Sequence, residues 1–382
     1  MPMPNSANAS RTEFTIGLLG GGQLARMLAL AAAPQGFRVS VLSSRVDDPA
    51  AQVTAHWRKG DPAQFRDLED FTAGLDALTF ESEFFDMDLV AQVADANPHL
   101  FVYPRPQLMS QVQDRRTQKA LLDRFKIPTS KWVKVDSLAD LRGASEALGF
   151  PFVLKKAQGG YDGYGTFYVR GEADFTKLRD TAPFPAIAEK TVKFERELAV
   201  MMFRAKDGDI AVYPLVESRQ TDSRCDFVLG PMKHRGLAAL LKKLKKMLKD
   251  LNYVGALGIE LFDTGRELLV NELAPRVHNT GHYSQNVMNF DQFQLHLLCG
   301  RSGKLPKIER RAKAFVMANI LGADEELPNL RAPLTGTLHW YGKQESRPGR
   351  KLGHVNYVGA SFPALFKIAR RERAGFFKRS PR

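Results

Sequence analysis

The chain has 382 residues, too many for one ordinary domain, and its 44% apolar and 25% charged residues are those of a globular protein. No run approaches the ~20 apolar residues of a membrane helix, and the polar Met1 to Arg11 reads as a disordered lead-in (1–13) rather than a secretory signal. The only cysteines, Cys225 and Cys299, lie far apart, which argues against a disulfide framework or zinc site and for a cytoplasmic setting, while the formal charge of +13 suits either nucleic acid or phosphorylated small substrates.

The apolar run Phe14 to Leu19 predicts a strand, followed by Gly20-Gly21-Gly22 and a helix from about Gln23 to Ala33. Further strands are expected at Arg38 to Leu42, Ala77 to Phe80 and Leu100 to Tyr103, with helical stretches between them. That alternation predicts an open α/β domain with a parallel sheet over 14–110. A helix from Gln111 to Phe125 is expected to end before Pro128. Strands at Phe152 to Lys156, Thr166 to Val169, Ile187 to Glu189, Leu198 to Phe203 and Ala211 to Val216 then predict an α+β module over 111–310. Its last feature is a hairpin, Ala256 to Phe262 and Glu267 to Leu273, around Asp263-Thr264-Gly265-Arg266. A small β-rich segment follows over 311–382. Two basic clusters stand out. Lys242, Lys243, Lys245, Lys246 and Lys249 alternate with leucines at helical spacing and read as a solvated amphipathic face, and Arg370 to Arg382 reads as a frayed tail.

Three constellations carry chemistry. Gly20-x-Gly22-x-x-Ala25 has the form of a dinucleotide turn, but Val41-Leu42-Ser43-Ser44 offers no acid for a ribose, so nicotinamide binding is not expected. The turn is either a phosphate-facing helix start or a tight connection without a ligand. Gly159-Gly160-Tyr161-Asp162-Gly163-Tyr164-Gly165, between two strands, reads as a flap whose amides can close over phosphates, or as an ordinary mobile hairpin; Lys155 at the preceding strand's end could reach those phosphates. A P-loop is absent. In the later hairpin, a three-residue loop pairing Asp263 with Glu267 would set Glu260 opposite Val270. Glu260 and Glu272 would then be diagonal neighbours, roughly 7–8 Å apart, suited to a shared Mg²⁺ or otherwise solvated. In that register Asn271 joins them only through a twist or bulge. Leu273 to His282 follows, a Pro/Gly-bounded loop holding Arg276, His278, Asn279 and His282 and suited to small anions.

Together, GGGQLARM at Gly20, GGYDGYG at Gly159, NELAPRVHNTGHY at Asn271 and HWYGKQESRPGRKLGH at His339 resemble the N5-carboxyaminoimidazole ribonucleotide synthetases of the ATP-grasp superfamily, from about Phe14 to Val358. The flap alone would indicate only the superfamily; the last two motifs indicate this family. The resemblance implies an N-terminal Rossmann-like domain, a two-lobed ATP-grasp domain and a small C-terminal β-rich domain. It implies ATP between the lobes, met by Arg115, Lys155, the lid Gly160 to Thr166, the adenine hinge Glu189-Lys190-Thr191-Val192, Glu197 at the ribose, and Gln220. Glu260, Glu272 and Asn271 would carry magnesium. The implied reaction phosphorylates bicarbonate to carboxyphosphate and carboxylates the amine of 5-aminoimidazole ribonucleotide. Arg276 would hold carboxyphosphate, with Lys155 and Asp162 taking part in catalysis. Gly22, Gln23, Leu24, Asp162, Lys343, Arg350 and Lys351, with Arg347 close by, would bind the ribonucleotide. A homodimer is what the family suggests.

Thr166 and Gln220 stand where this family often has Gln and His, which bears on nucleotide affinity. Another ATP-grasp ligase is disfavoured by RPGRKLGH. A basic nucleic-acid-binding protein lacks any aromatic-basic stacking motif here, and a catalytically silent relative fits poorly with Lys155, Glu260 and Glu272.

Overall fold

A computed structural model describes residues 14–160, 163–181, 183–301, 303–323 and 334–375, and the chain divides into two compact units between Tyr103 and Pro104. The first unit contains β1 (Phe14–Leu19), α1 (Gln23–Ala32), β2 (Phe37–Ser43), β3 (Trp57–Lys59), α2 (Phe65–Thr72), β4 (Ala77–Phe80), α3 (Met87–Ala96) and β5 (Phe101–Val102). Its five strands are parallel, in the order β3-β2-β1-β4-β5. The central β1 and β4 are nearly continuous apolar runs because both faces are covered. The expected strands are present. The short β3 lay hidden in a polar stretch.

The second unit begins with α4 (Pro106–Gln113), α5 (Arg115–Arg124), β6 (Trp132–Val135), α6 (Asp140–Leu148), β7 (Phe152–Lys156), β8 (Thr166–Val169), α7 (Ala173–Thr181) and β9 (Ala186–Lys190). The helix expected over Gln111 to Phe125 is two helices. Asp114 is extended and its carboxylate caps Arg116 N–H, which ends α4 and starts α5. The four strands form one antiparallel sheet, β6-β9-β7-β8, packed on α6 and α7 around Leu141, Phe152 and Leu154.

Then come β10 (Arg196–Arg204), β11 (Ile210–Val212), β12 (Val216–Thr221), β13 (Arg224–Gly230), α8 (Leu237–Asp250), β14 (Gly255–Asp263), β15 (Leu268–Ala274), α9 (Ser284–Val287), α10 (Gln292–Gly300), β16 (Ala314–Leu321), β17 (Thr337–Trp340), β18 (Lys351–Gly359) and α11 (Phe362–Gly375). The strand expected over Ala211 to Val216 is divided between β11 and β12. All nine strands join one antiparallel sheet, in the order β15-β14-β10-β12-β13-β16-β18-β17, with β11 on β10. The C-terminal strands therefore build their own core with α11, around Val316, Leu352 and Ala369, yet continue the central sheet through β13 and β16.

The lysine-rich α8 buries Leu240, Leu244, Met247 and Leu248 and turns its lysines to water, as an amphipathic helix should. Arg370 to Gly375 is not frayed: it belongs to α11, where Arg373 pairs with Asp226. Residues 376–382 and the lead-in 1–13 lie outside the described residues.

Candidate active site

The hairpin of β14 and β15 departs from the expected register. Asp263 pairs with Leu268 around a four-residue loop, and Leu261 pairs with Val270. A bulge then makes Asn271 an extra residue and sets Glu260 directly opposite Glu272. The physical reason is burial. Shifting the register by one residue turns Val270 and Leu261 into the core, where both are essentially inaccessible, and leaves both glutamates on the other face. Opposed positions lie about 4.5–5.5 Å apart at Cβ, closer than the diagonal arrangement expected. Burial, then Glu272, then Glu197 push the Glu260 carboxyl up to about 7.

The bulge also brings Asn271 to Lys155, whose Nζ donates to Asn271 Oδ1 at 3.0 Å. The same Nζ lies 2.6 Å from Glu189 Oε2, and Lys119 Nζ lies 2.5 Å from Glu189 Oε1. Glu189 is almost wholly buried. Burial alone would raise its carboxyl, but Lys155 and Lys119 outweigh it and hold the group far below the usual carboxylate range. Burial in turn lowers Lys119. The Glu189 side chain, expected at the adenine hinge, is thus committed to two lysines, and Ser130 Oγ also donates to it at 2.5 Å. Lys119 was missed in sequence because it reads as one more polar residue on α5.

One turn before Lys119, Arg115 Nη2 lies 3.3 Å from both Glu272 oxygens and 3.3 Å from Gly160 O in the flap. Arg115, Lys155, Asn271, Glu272 and the flap therefore converge. Tyr161 and Asp162 lie outside the described residues. Gly163, Tyr164 and Gly165 form the flap's turn before Thr166 opens β8, and Tyr164 is exposed. Gln220 Nε2 donates to Glu197 Oε2 at 2.5 Å, so these two expected nucleotide contacts form one unit on β12 and β10. Burial raises the Glu197 carboxyl, which Gln220 partly opposes. Lys190, Thr191 and Val192 follow at the end of β9, where Thr191 Oγ1 donates to Pro151 O at 2.9 Å.

Beyond β15, His278 Nε2 stands 3.5 Å from Glu260 Oε1. Burial, then the charges of Arg276 and Lys351, push this imidazole down to about 3, so it is neutral. Arg276 Nη1 donates to Val277 O at 3.1 Å. Lys351 is close enough to Glu260 to favour its ionisation. The other basic residues of that segment sit differently. Arg350 and Arg347 flank the Glu345 carboxylate at 3.6 and 2.8 Å, and Lys343 lies over the Tyr341 ring.

In the first unit, Gly22 N–H donates to Glu81 Oε1 at 2.7 Å and Ala25 N–H to Oε2 at 3.3 Å. A Cβ at Gly20, where φ is +93°, would lie 2.6 Å from that side chain. A carboxylate of the chain itself thus sits at this helix start. Gln23 and Leu24 are half-buried beside it. Glu81 lies far along the chain from the glycine turn, and nothing in the sequence links them.

Comparison with known proteins agrees with this architecture. The chain matches a ribonucleotide synthetase preATP-grasp domain over residues 14–113, an ATP-grasp domain over 120–293 and a phosphoribosylaminoimidazole carboxylase C-terminal domain over 315–365. The N5-carboxyaminoimidazole ribonucleotide synthase of Synechococcus elongatus is 35% identical over 350 residues, covering 89% of this chain and 88% of that protein. The Thermus thermophilus N5-carboxyaminoimidazole ribonucleotide synthetase structure superposes with a TM-score of 0.86 at 31% identity, over 96% of this chain and 99% of that one. An Aspergillus clavatus N5-carboxyaminoimidazole synthase, solved with ADP and 5-aminoimidazole ribonucleotide, gives 0.84 at 27% identity, over 96% and 99%. Fold and site together define an ATP-grasp ligase. The chain belongs to the N5-carboxyaminoimidazole ribonucleotide synthetase family.

Proposed function

We propose that the chain couples ATP cleavage to carboxylation of 5-aminoimidazole ribonucleotide by bicarbonate, giving N5-carboxyaminoimidazole ribonucleotide, ADP and phosphate in purine biosynthesis. The observation that carries this is the convergence of Arg115, Lys155, Asn271 and the opposed Glu260–Glu272 pair beside the Arg276–His278 loop.

Among the described residues no group of three or more His, Cys, Asp or Glu side chains is arranged to hold a metal ion by itself. Two carboxylates and an amide fit Mg²⁺, which takes few protein ligands and completes its shell with phosphates. Burial first, and then repulsion from Glu272 and Glu197, raise the Glu260 carboxyl, and a cation there would offset both. Held by Glu260, Glu272 and Asn271, magnesium would supply charge to offset the nucleotide phosphates.

Lys155, fixed by Glu189 and Asn271, presents a point charge to the transferring phosphoryl group. Arg115 links the flap to Glu272 and faces the phosphates. The main chain of Glu189, Lys190, Thr191 and Val192 lines the adenine, and Glu197 with Gln220 takes the ribose hydroxyls. Gly160 to Thr166 closes over the phosphates and keeps water from carboxyphosphate, and Asp162 takes part in catalysis and in holding the ribonucleotide. Arg276 offers a planar guanidinium to bicarbonate and carboxyphosphate. Lys343, Arg350 and Lys351 bind the ribonucleotide phosphate, while Gly22, Gln23 and Leu24 contact the same substrate. A homodimer in the cytoplasm completes the proposal; both cysteines are buried thiols, which fits a reducing compartment.

The test is ADP release with Mg-ATP and bicarbonate, with and without 5-aminoimidazole ribonucleotide. Strong stimulation by that compound and none by glycinamide ribonucleotide is expected. Folded, ATP-binding protein without that stimulation refutes the substrate.

A further inference from the structure

Two buried glutamines grip the main chain on either side of Arg276. Gln118 on α5 accepts from Leu273 N–H at 2.8 Å and donates to Leu273 O at 3.1 Å and Val112 O at 2.7 Å. Gln292, at the start of α10, accepts from His278 N–H at 2.9 Å and donates to His278 O at 2.9 Å. In each case one side-chain amide satisfies both polar groups of a single residue, as a paired strand would. Gln118 is 3% exposed and Gln292 is fully buried, so neither grip competes with water.

The second grip is itself held in place. The N–H and O of His278 fix the orientation of the Gln292 amide, and because an amide nitrogen can only donate, His282 Nδ1, 2.6 Å from Gln292 Nε2, accepts from it and braces it. Asp291 and Gln294 form a capping box around the first turn of α10, anchoring the helix that carries Gln292. Gly281 leaves room for the amide: a Cβ there would come 2.5 Å from Gln292 Oε1. Glutamines that merely satisfied buried backbone could sit anywhere in the core. These two bracket the stretch Leu273 to His278, which follows Glu272 directly and contains Arg276.

We propose that Gln118 and Gln292 are positioning residues for the carboxylation, pinning Leu273 and His278 so that Glu272 and Arg276 meet the reacting groups in fixed geometry. The inference rests on the reaction proposed above. Misplacement of a reacting contact by about 1 Å can cost on the order of 100-fold in rate. Loosening the loop also lets carboxyphosphate escape to water, which attacks phosphorus and returns bicarbonate and phosphate, so ATP is consumed without carboxylated product.

The experiment uses the full chain with saturating Mg-ATP, bicarbonate and 5-aminoimidazole ribonucleotide, well below the unfolding temperature of each variant. ADP formed and ribonucleotide consumed are measured together. Gln292→Met and Gln118→Met remove each grip, and Gly281→Ala displaces the Gln292 amide without removing it. The expected result is a fall in kcat of at least about tenfold, a KM for ATP within about twofold of the parent, and an ADP-to-product ratio rising from about one to about two or more. A purely structural role moves the melting temperature and leaves that ratio at the parent value. Folded variants with the parent's kcat and ratio overturn the proposal, and Gly281→Ala decides it if the methionine variants do not fold. A parent chain with no ribonucleotide-stimulated ADP release refutes instead the reaction on which it rests.

Discussion

Glu260 and Glu272 face each other directly across β14 and β15, at the point where the bulge at Asn271 interrupts the ladder. Burial and the neighbouring carboxylates hold Glu260 at about 7, against 4.5 for an unperturbed side chain. The folded chain therefore binds a proton more tightly than the unfolded chain, and stability contributed by this group falls as pH rises from about 4.5 through about 7. The shift corresponds to about 3 kcal/mol for the metal-free protein. Urea denaturation at pH 5 and pH 8 should show that slope, and Glu260→Gln should flatten it. An equal slope in the variant removes Glu260 as its source.

Replacing Glu272 by alanine should abolish turnover, by at least about 100-fold, while leaving the fold intact. Its side chain keeps 34% of its exposure, so little stability depends on it. Near-parental activity would overturn the magnesium assignment.

The buried triad Lys119–Glu189–Lys155 predicts a contrast between its two cations. Lys119 is 3% exposed, and Lys119→Met leaves the buried Glu189 carboxylate with one cation and the Ser130 hydroxyl, so it should lower unfolding free energy by about 3 kcal/mol. Lys155 is 15% exposed, and Lys155→Met should act mainly on kcat/KM for ATP. Denaturation curves and ATP titrations of both variants give the comparison; identical profiles would contradict the division of roles.

Lys343→Ala should raise the KM for 5-aminoimidazole ribonucleotide at least about tenfold more than the KM for ATP, because a phosphate contact is lost from one substrate only. Initial rates across both substrates decide this. Equal changes would take Lys343 out of the phosphate site.

Patterns carried by neighbouring residues were legible in the sequence: β1 before its glycines, β7 and β8 around the flap, the hairpin with its two glutamates. What escaped is set by tertiary contact. The register of β14 and β15 depends on a four-residue loop and a bulge, and alternation alone cannot distinguish that from a three-residue loop without one. Lys119 and Gln118 lie within α5, and Gln292 within α10, where a single polar side chain looks like an ordinary helix position. Glu81 reaches Gly22 from 59 residues away, beyond any local pattern.

The continuous sheet from β15 to β17 has a mechanical meaning. The carboxylates on β14 and β15 and the segment between β17 and β18 that bears Lys343 and Arg350 belong to one plate, which also brings Lys351, at the start of β18, within electrostatic reach of Glu260, so their relative placement is set by the sheet and not by a hinge. The glycine-rich turn between β7 and β8 belongs instead to the separate four-stranded sheet. Lengthening the connection before β16 should therefore disturb substrate reach far less than inserting residues within β13 or β16, where the plate itself would be broken.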